Sequence, residues 1–516
     1  MKRNAFRTVL LALLCAASPL AAAPAATLPD PAALKAMSDE QLGKGFMDAL
    51  QGQPTRSCEA ALYSEELKRR GKFNPATVWI MHAMRADCQR MDGKPGAALA
   101  SFTAAEAAMG DDVPPDLRMS IEADTVRLAA FSRDWDAFKT HSLHVAERGW
   151  PEEFAGLDPE ISNITFWQSP QANRDQIAVA FARSSAFSSL PEKLQTSFVT
   201  AAVKPLLASG EKDRALALAL HKPDPETMLD QLINREYEFL WPQLAEAAGP
   251  RLSLILPRTV ARAESEHKAA PGNDEKLSQL ALAYLAARRF DDVVRLANGF
   301  DHSEKAMRSL GEHKAWTLNA AVTALDQLGR RGEGDALFDA LVASPLKDRG
   351  WLVNFVINRA DRLVTQGRWA LALPAAEKAV EVAATHGSPY ARQIAAADRY
   401  CAAIKLNPAR AELAGWWDQI AKSWADNVGS AIQAAQCKGD DAAARRFIAD
   451  GLADAEARPQ LLRTLQPREA QFFRDEGNMF AEPRLLLEGQ AELQAQFARY
   501  GRTLPPDLMP SGPATK

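Results

Sequence analysis

In the stretch FVINRADRLVTQGRWALALPAAEKAV, residues 355–380, apolar residues recur with the period of a helix, stop, and then recur again. Val356, Ala360, Leu363 and Val364 fall at i, i+4, i+7 and i+8, which is one face of an α-helix. The polar run Thr365-Gln366-Gly367-Arg368 interrupts the pattern. Gly367, which has no Cβ, is the residue suited to end the helix and take a tight turn. Trp369, Ala372, Leu373, Ala376, Ala379 and Val380 form the apolar face of a second helix. The alanines allow close approach of the two helices, and Trp369 fills the space near the turn. Pro374 falls inside the second helix and predicts a kink or a loss of stability there. A single pair of this kind leaves its outer face uncovered and requires neighbours.

The neighbours are legible in the same register. Ala281, Tyr284, Phe290, Val293, Ala297 and Phe300 repeat the spacing, with Arg288 in place of the turn glycine. Ala86, Gly93, Ala98, Phe102 and Ala105 repeat it again, as do Ile432, Ala435, Gly439, Ala444, Ile448 and Gly451. Val126, Ala129, Trp135, Phe138 and Val145 form a looser copy, and fragments stand around Gly210 and Ala336. This spacing resembles the tetratricopeptide repeat (TPR) family. The copies lie roughly 36–43 residues apart, longer than the usual period of about 34, so the chain is TPR-like. The resemblance implies an all-α chain wound as a right-handed α-α superhelix, and a role in binding protein or peptide partners. It also implies packing roles for Ala360, Leu363, Gly367, Trp369, Ala372, Ala376 and Ala379, and for Ala281, Tyr284, Phe290 and Ala297.

Outside the clearest repeats, Ser38 and Gln41 form a capping-box pattern that starts a helix. The pattern predicts helices over 39–50, 57–71, 75–91, 95–109, 116–132 and 135–148. Residues 149–175 are rich in Pro, Asn and Ser and read as an irregular loop, after which helical character resumes at 176. Within 232–252, Pro242 starts or kinks a helix, and Tyr237, Leu240, Trp241 and Leu244 share a face that reads as core. Asn273 or Asp274 caps the next helix. The domain reading is therefore a linker at 26–37, N-terminal helical repeats at 38–148, the loop, a middle helical segment at 176–270 and TPR-like repeats at 271–458. Capping helices follow at 459–502, with the last over 482–500 covering the open end of the stack, and then a disordered tail at 503–516.

Composition narrows the class. The chain has 516 residues, of which 47% are hydrophobic, and no Val/Ile/Thr-rich alternating run marks a strand. Net charge is −4 with both signs interspersed, which does not make the basic stripe that nucleic acid requires. Positive charge at Lys2, Arg3 and Arg7, an apolar run from Thr8 and small residues at Ala23 and Ala25 predict a signal peptide over 1–25. Lipidation at Cys15 is disfavoured because Leu14 stands where a small residue is needed. A soluble periplasmic protein without an integral membrane segment is the expectation.

Four cysteines lie beyond that segment: Cys58, Cys88, Cys401 and Cys437. Each sequential pair is separated by about one repeat length, so Cys58–Cys88 and Cys401–Cys437 staple neighbouring helices; buried free thiols are the alternative. A bridge closing such a loop contributes roughly 3–4 kcal/mol in the loop-entropy model. A zinc site is disfavoured, with no CxxC or HxxxH spacing.

No HExxH, GxSxG, Walker or dinucleotide-binding motif is present, so the reading assigns no catalytic, cofactor or metal residue. His141 and His144, three apart on one helix, share a face, but the sequence nominates no third ligand. The sequence favours an interaction scaffold for an unidentified protein or peptide of the cell envelope. The competing reading is an all-α envelope enzyme acting on cell-wall or carbohydrate substrate. Periplasmic lytic transglycosylases carry α-superhelical domains of this size, but the likeness reaches only that architecture. In AELAGWWDQIAKSWADN, Trp417 and Trp424 are seven apart and face inward together. Trp416 points about 100° away and is the candidate partner anchor.

Overall fold

Helices begin where the sequence supplies a cap. Ser38 and Gln41 close the reciprocal box: Gln41 N–H donates to Ser38 Oγ at 3.2 Å, and Ser38 N–H donates to Gln41 Oε1 at 2.8 Å. Asn273, not Asp274, caps its helix, accepting from the amides of Glu275 and Lys276. The computed structural model describes residues 28–51, 56–148, 165–185, 187–221, 223–343, 349–472 and 477–510. Among them there is no strand, only an isolated bridge between Asn234 and Gly501. The class is all-α. The predicted signal peptide and most of the predicted loop lie outside the described residues.

The chain divides into two compact units, residues 1–221 and 222–516. In the first, the described residues form ten helices: α1 (Pro31–Ala36), α2 (Asp39–Gln51), α3 (Ser57–Arg69), α4 (Val78–Met91), α5 (Pro95–Ala107), α6 (Pro115–Ser132), α7 (Trp135–Arg148), α8 (Gln171–Arg183), α9 (Glu192–Ala208) and α10 (Lys212–Ala219). From α2 onward each packs on the next. Two boundaries differ from the sequence reading. The segment read as a linker contains α1, because Asp30 caps it, Pro31 opens it and Leu34 is buried. The Arg70 guanidinium then takes the carbonyls of Leu34, Lys35 and Met37 at its C-terminal end. The segment read as loop up to 175 already contains the start of α8, which Pro170 precedes.

The second unit opens with α11 (Pro225–Ile233), a 3-10 turn at Arg235–Leu240, and α12 (Trp241–Ala248) with Pro242 in its first turn. It continues through α13 (Ile255–Ala269), α14 (Asp274–Ala286), α15 (Phe290–Asn298), α16 (Glu304–Arg308), α17 (Glu312–Gln327), α18 (Arg331–Val342), α19 (Val353–Thr365), α20 (Trp369–His386), α21 (Pro389–Leu406), α22 (Leu413–Lys422), α23 (Val428–Lys438), α24 (Asp441–Ala453), α25 (Arg458–Thr464) and α26 (Ala491–Tyr500). Its central helices pack on more than one predecessor. Helix α17 lies on both α14 and α15, and α21 on both α19 and α20.

The residues that carry the repeat register are where their size requires them. Ala360, Leu363, Ala372, Ala376 and Ala379 are buried in one cluster, which Trp369 borders. Ala281, Tyr284 and Ala297 are buried in another, bordered by Phe290. Gly367 takes φ +68°, and a Cβ there would meet Met479 Sδ at 2.7 Å. Arg288, which replaces the turn glycine in the neighbouring copy, adopts the same left-handed conformation with φ 58°. The turn geometry thus persists where its preferred residue does not. Helix α20 runs as one element through Pro374.

The end of this unit differs from a capped stack. Helix α25 packs on α11, and α26 packs on the 3-10 turn at 235–240. Arg502 N–H donates to Ile233 O at 2.9 Å, and Arg463 pairs with Asp230. The last segment therefore closes onto the beginning of the unit instead of covering an open end. The stretch read as a capping helix over 482–500 is a 3-10 turn, Pro483–Leu487, followed by α26. The stretch read as a disordered tail is ordered through 510, because Leu504, Leu508 and Met509 are buried against this closure.

Candidate functional site

Two adjoining cavities lie where the second unit closes. The first, of about 200 Å³, lies between α23, the end of α25 and residues 466–471 and 478–483. Its lining is rich in amides, with Gln433, Gln436, Gln466, Gln471 and Asn478 joined by Thr464, Arg468 and Glu482. The second, of about 230 Å³, is more apolar; Leu229, Ile233, Phe472 and Leu504 line it beside Glu226, Asp230 and Arg463. Gln466 and Gln471 border both.

Local bonds hold this wall. Gln466 donates to the carbonyls of Leu462 and Arg502, and its Oε1 accepts from Leu504 N–H at 2.8 Å. The buried amide therefore ties the last segment to α25. Gln436 Nε2 donates to Ala481 O at 3.1 Å. The Arg468 guanidinium donates to the carbonyls of Asn478 and Phe480. Gln433 is different: its Nε2 is buried with no hydrogen-bond partner. A buried donor without an acceptor costs about 1–3 kcal/mol, so it is the lining group a ligand carbonyl would relieve. In the second cavity, the concave wall desolvates Glu226 and Asp230 and raises both carboxyls, and Arg463 opposes the rise. Arg463 pairs with Asp230 through two nitrogens and stands 3.5 Å from Glu226. These carboxylates are held as ion pairs.

The residues singled out from sequence lie elsewhere. Cys58–Cys88 and Cys401–Cys437 are disulfides, with Cα atoms 4.6 Å and 5.2 Å apart. The first joins α3 to α4 and the second α21 to α23. Trp417 and Trp424 both pack on Phe447, with centroids 6.1 Å and 6.5 Å away. Trp416 points elsewhere, as the helix demands, but its indole is not bare. The guanidiniums of Arg399 and Arg410 lie 4.0 Å and 4.8 Å from its ring centroid, so its faces are engaged within the chain. Trp241 is core, its Nε1 donating to Gln231 O at 2.9 Å. The amide lining was not found from sequence. Its members are ordinary glutamines on separate elements, brought together only by the closure.

No family model matches the chain, and none of the curated proteins searched is similar to it. No helix among the described residues is long and apolar enough to cross a membrane.

Proposed function

We propose that this chain is an exported, TPR-like α-solenoid protein of the periplasm that binds a protein or peptide segment and catalyses no reaction. The helical pairs, the register of their small residues and the left-handed turns support the repeat reading. The two disulfides fit an oxidising compartment. The observation that carries the binding reading is the unpartnered Gln433 amide in a cavity rich in amides, which Arg468 and Glu482 also border. Amide side chains both donate and accept, which matches an extended peptide backbone, and the adjoining apolar cavity offers room for one hydrophobic side chain. In this reading Trp416 is a rigid surface element and not the anchor.

Gln433→Leu removes the donor while keeping a side chain of similar size. It is expected to leave the melting temperature unchanged or raised and to weaken capture of an envelope partner by about tenfold. Undiminished capture by the variant would sink the pocket as the binding site. Turnover of peptidoglycan or glycan by the purified chain, lost on changing one carboxylate, would establish the enzyme reading instead. Intact-mass measurement of exported material tests the leader, with a chain starting near Ala26 expected.

A further inference from the structure

Helices α5, α6 and α7 bring four metal-ligating side chains together inside the first unit, and the closing cavities play no part in it. His141 and His144 stand one turn apart on α7, with ring centroids 5.8 Å apart and the rings nearly perpendicular at 88°. Glu122 comes from α6 and Glu106 from α5. Ligand atoms of Glu122, His141 and His144 all lie within 4.8 Å of one another. His144 Nδ1 is 3.2 Å from Glu122 Oε1, and His141 Nδ1 is 3.1 Å from Glu106 Oε2. Donor atoms around a tetrahedral zinc ion with bonds of about 2.0–2.1 Å stand roughly 3.3 Å apart, so these pairs already have the span of a coordination sphere.

Burial makes the cluster more than a surface coincidence. Glu122 is 2% exposed and His141 6% exposed. His141 Nδ1 is buried and has no hydrogen-bond partner, although a carboxylate oxygen is beside it. A buried nitrogen in that state lies close to an anionic oxygen without the alignment of a hydrogen bond, so its ligating capacity is unused. Glu106 is oriented from behind by Thr125 Oγ1, which donates to its Oε1 at 2.7 Å. That is the support a ligating or imidazole-orienting carboxylate needs. His144 and Glu106 keep 44% and 18% of their side chains exposed, which leaves a path from solvent. The Arg148 guanidinium rests on Glu122 Oε2 and supplies positive charge to a carboxylate that burial otherwise raises.

We propose that Glu122, His141 and His144, with Glu106 as fourth ligand or as the carboxylate that orients His141, form a binding site for a first-row divalent cation of the zinc type. Two imidazoles and carboxylate oxygens are the donor set that zinc accepts in tetrahedral sites. The ion would cross-link three consecutive helices, and Arg148 is the cation it competes with for Glu122.

Chelator-stripped full-length protein is titrated with Zn²⁺ by calorimetry, and with Co²⁺ by visible absorption. One equivalent per chain is expected, with a tetrahedral nitrogen–oxygen cobalt spectrum. His144→Gln, at a half-exposed position, weakens binding at least tenfold, and so does the isosteric Glu122→Gln. Arg148→Gln tightens binding, which a purely structural role for these residues does not predict. His386→Gln, on an exposed histidine elsewhere, leaves it unchanged. Absence of saturable binding in the wild type overturns the proposal. So does binding that His144→Gln leaves intact, which would place the ion on surface histidines.

Discussion

The two units bury different polar chemistry. Among the described residues the first buries the carboxylates of Glu59, Glu66, Asp87, Glu122 and Asp124 with the amides of Asn173 and Gln195; the second buries the amides of Gln231, Asn234, Gln393, Asn427 and Gln466 with a single carboxylate, Asp398. In the first unit, four of the five acids are bonded to an arginine three residues away on the same chain segment: Arg56–Glu59, Glu66–Arg69, Asp87–Arg90 and Asp124–Arg127. Each such pair needs only one helical turn, so it forms wherever the helix forms. In the second unit, amides bond to backbone at long range: Gln393 to Ile420 O, Gln466 to Arg502 O and Leu504 N–H. Amides do not titrate. The first unit, with five buried carboxylates, is expected to respond more to pH than the second, where Asp398 is the buried carboxylate among the described residues.

The largest effect expected of a break in that contrast is loss of a staple. Replacing Cys401 and Cys437 by alanine lowers stability by about 3–4 kcal/mol, read from denaturant midpoints. The bridge is buried, with the two residues 0% and 4% exposed, whereas Cys58 and Cys88 are half-buried. Graded reductant followed by alkylation and mass mapping opens Cys58–Cys88 first; the reverse order would break the ranking by burial.

Asp87 tests the titrating unit. Burial, and then the neighbouring Asp124, raise its carboxyl from 3.8 to about 6, with Arg90 and Arg127 opposing. The native state therefore holds a proton that the unfolded chain releases between about pH 4 and pH 6. Stability from this group is present below that window and is lost as pH rises through it. The shift corresponds to an upper bound on the order of 3 kcal/mol. Asp87→Asn is expected to be more stable than wild type at pH 7 and to flatten the pH 4–6 slope of the melting temperature. An unchanged slope would remove Asp87 as its source.

Packing in the second unit is tested at Ala376, fully buried between α19 and α20. Ala376→Leu adds volume where the helices touch and costs about 1–3 kcal/mol. A variant that melts like wild type would show that the interface is loose. The smallest effect belongs to the ion pair at the closure. Arg463 and Asp230 keep 53% and 42% of their side chains exposed, so Arg463→Ala costs about 0.2–1 kcal/mol, and less in high salt.

Helix positions, the capping box, the all-α class and both disulfides were legible along the chain. Each rests on local periodicity or on spacing close to one helical pair. Six register positions around Arg288 marked a turn there, but only the structure shows that Arg288 itself takes the left-handed conformation. Tertiary structure alone decided that the last segment returns to α11, since nothing near Gln466 or Leu504 announces a partner more than two hundred residues earlier. It decided that the polar lining converges there, that Arg399 and Arg410 clasp Trp416, and that Glu122 and Glu106 face His141 and His144. A helix writes its own period into sequence, but the side chains that meet across helices are set by how the whole apolar surface is buried, and no local pattern encodes that.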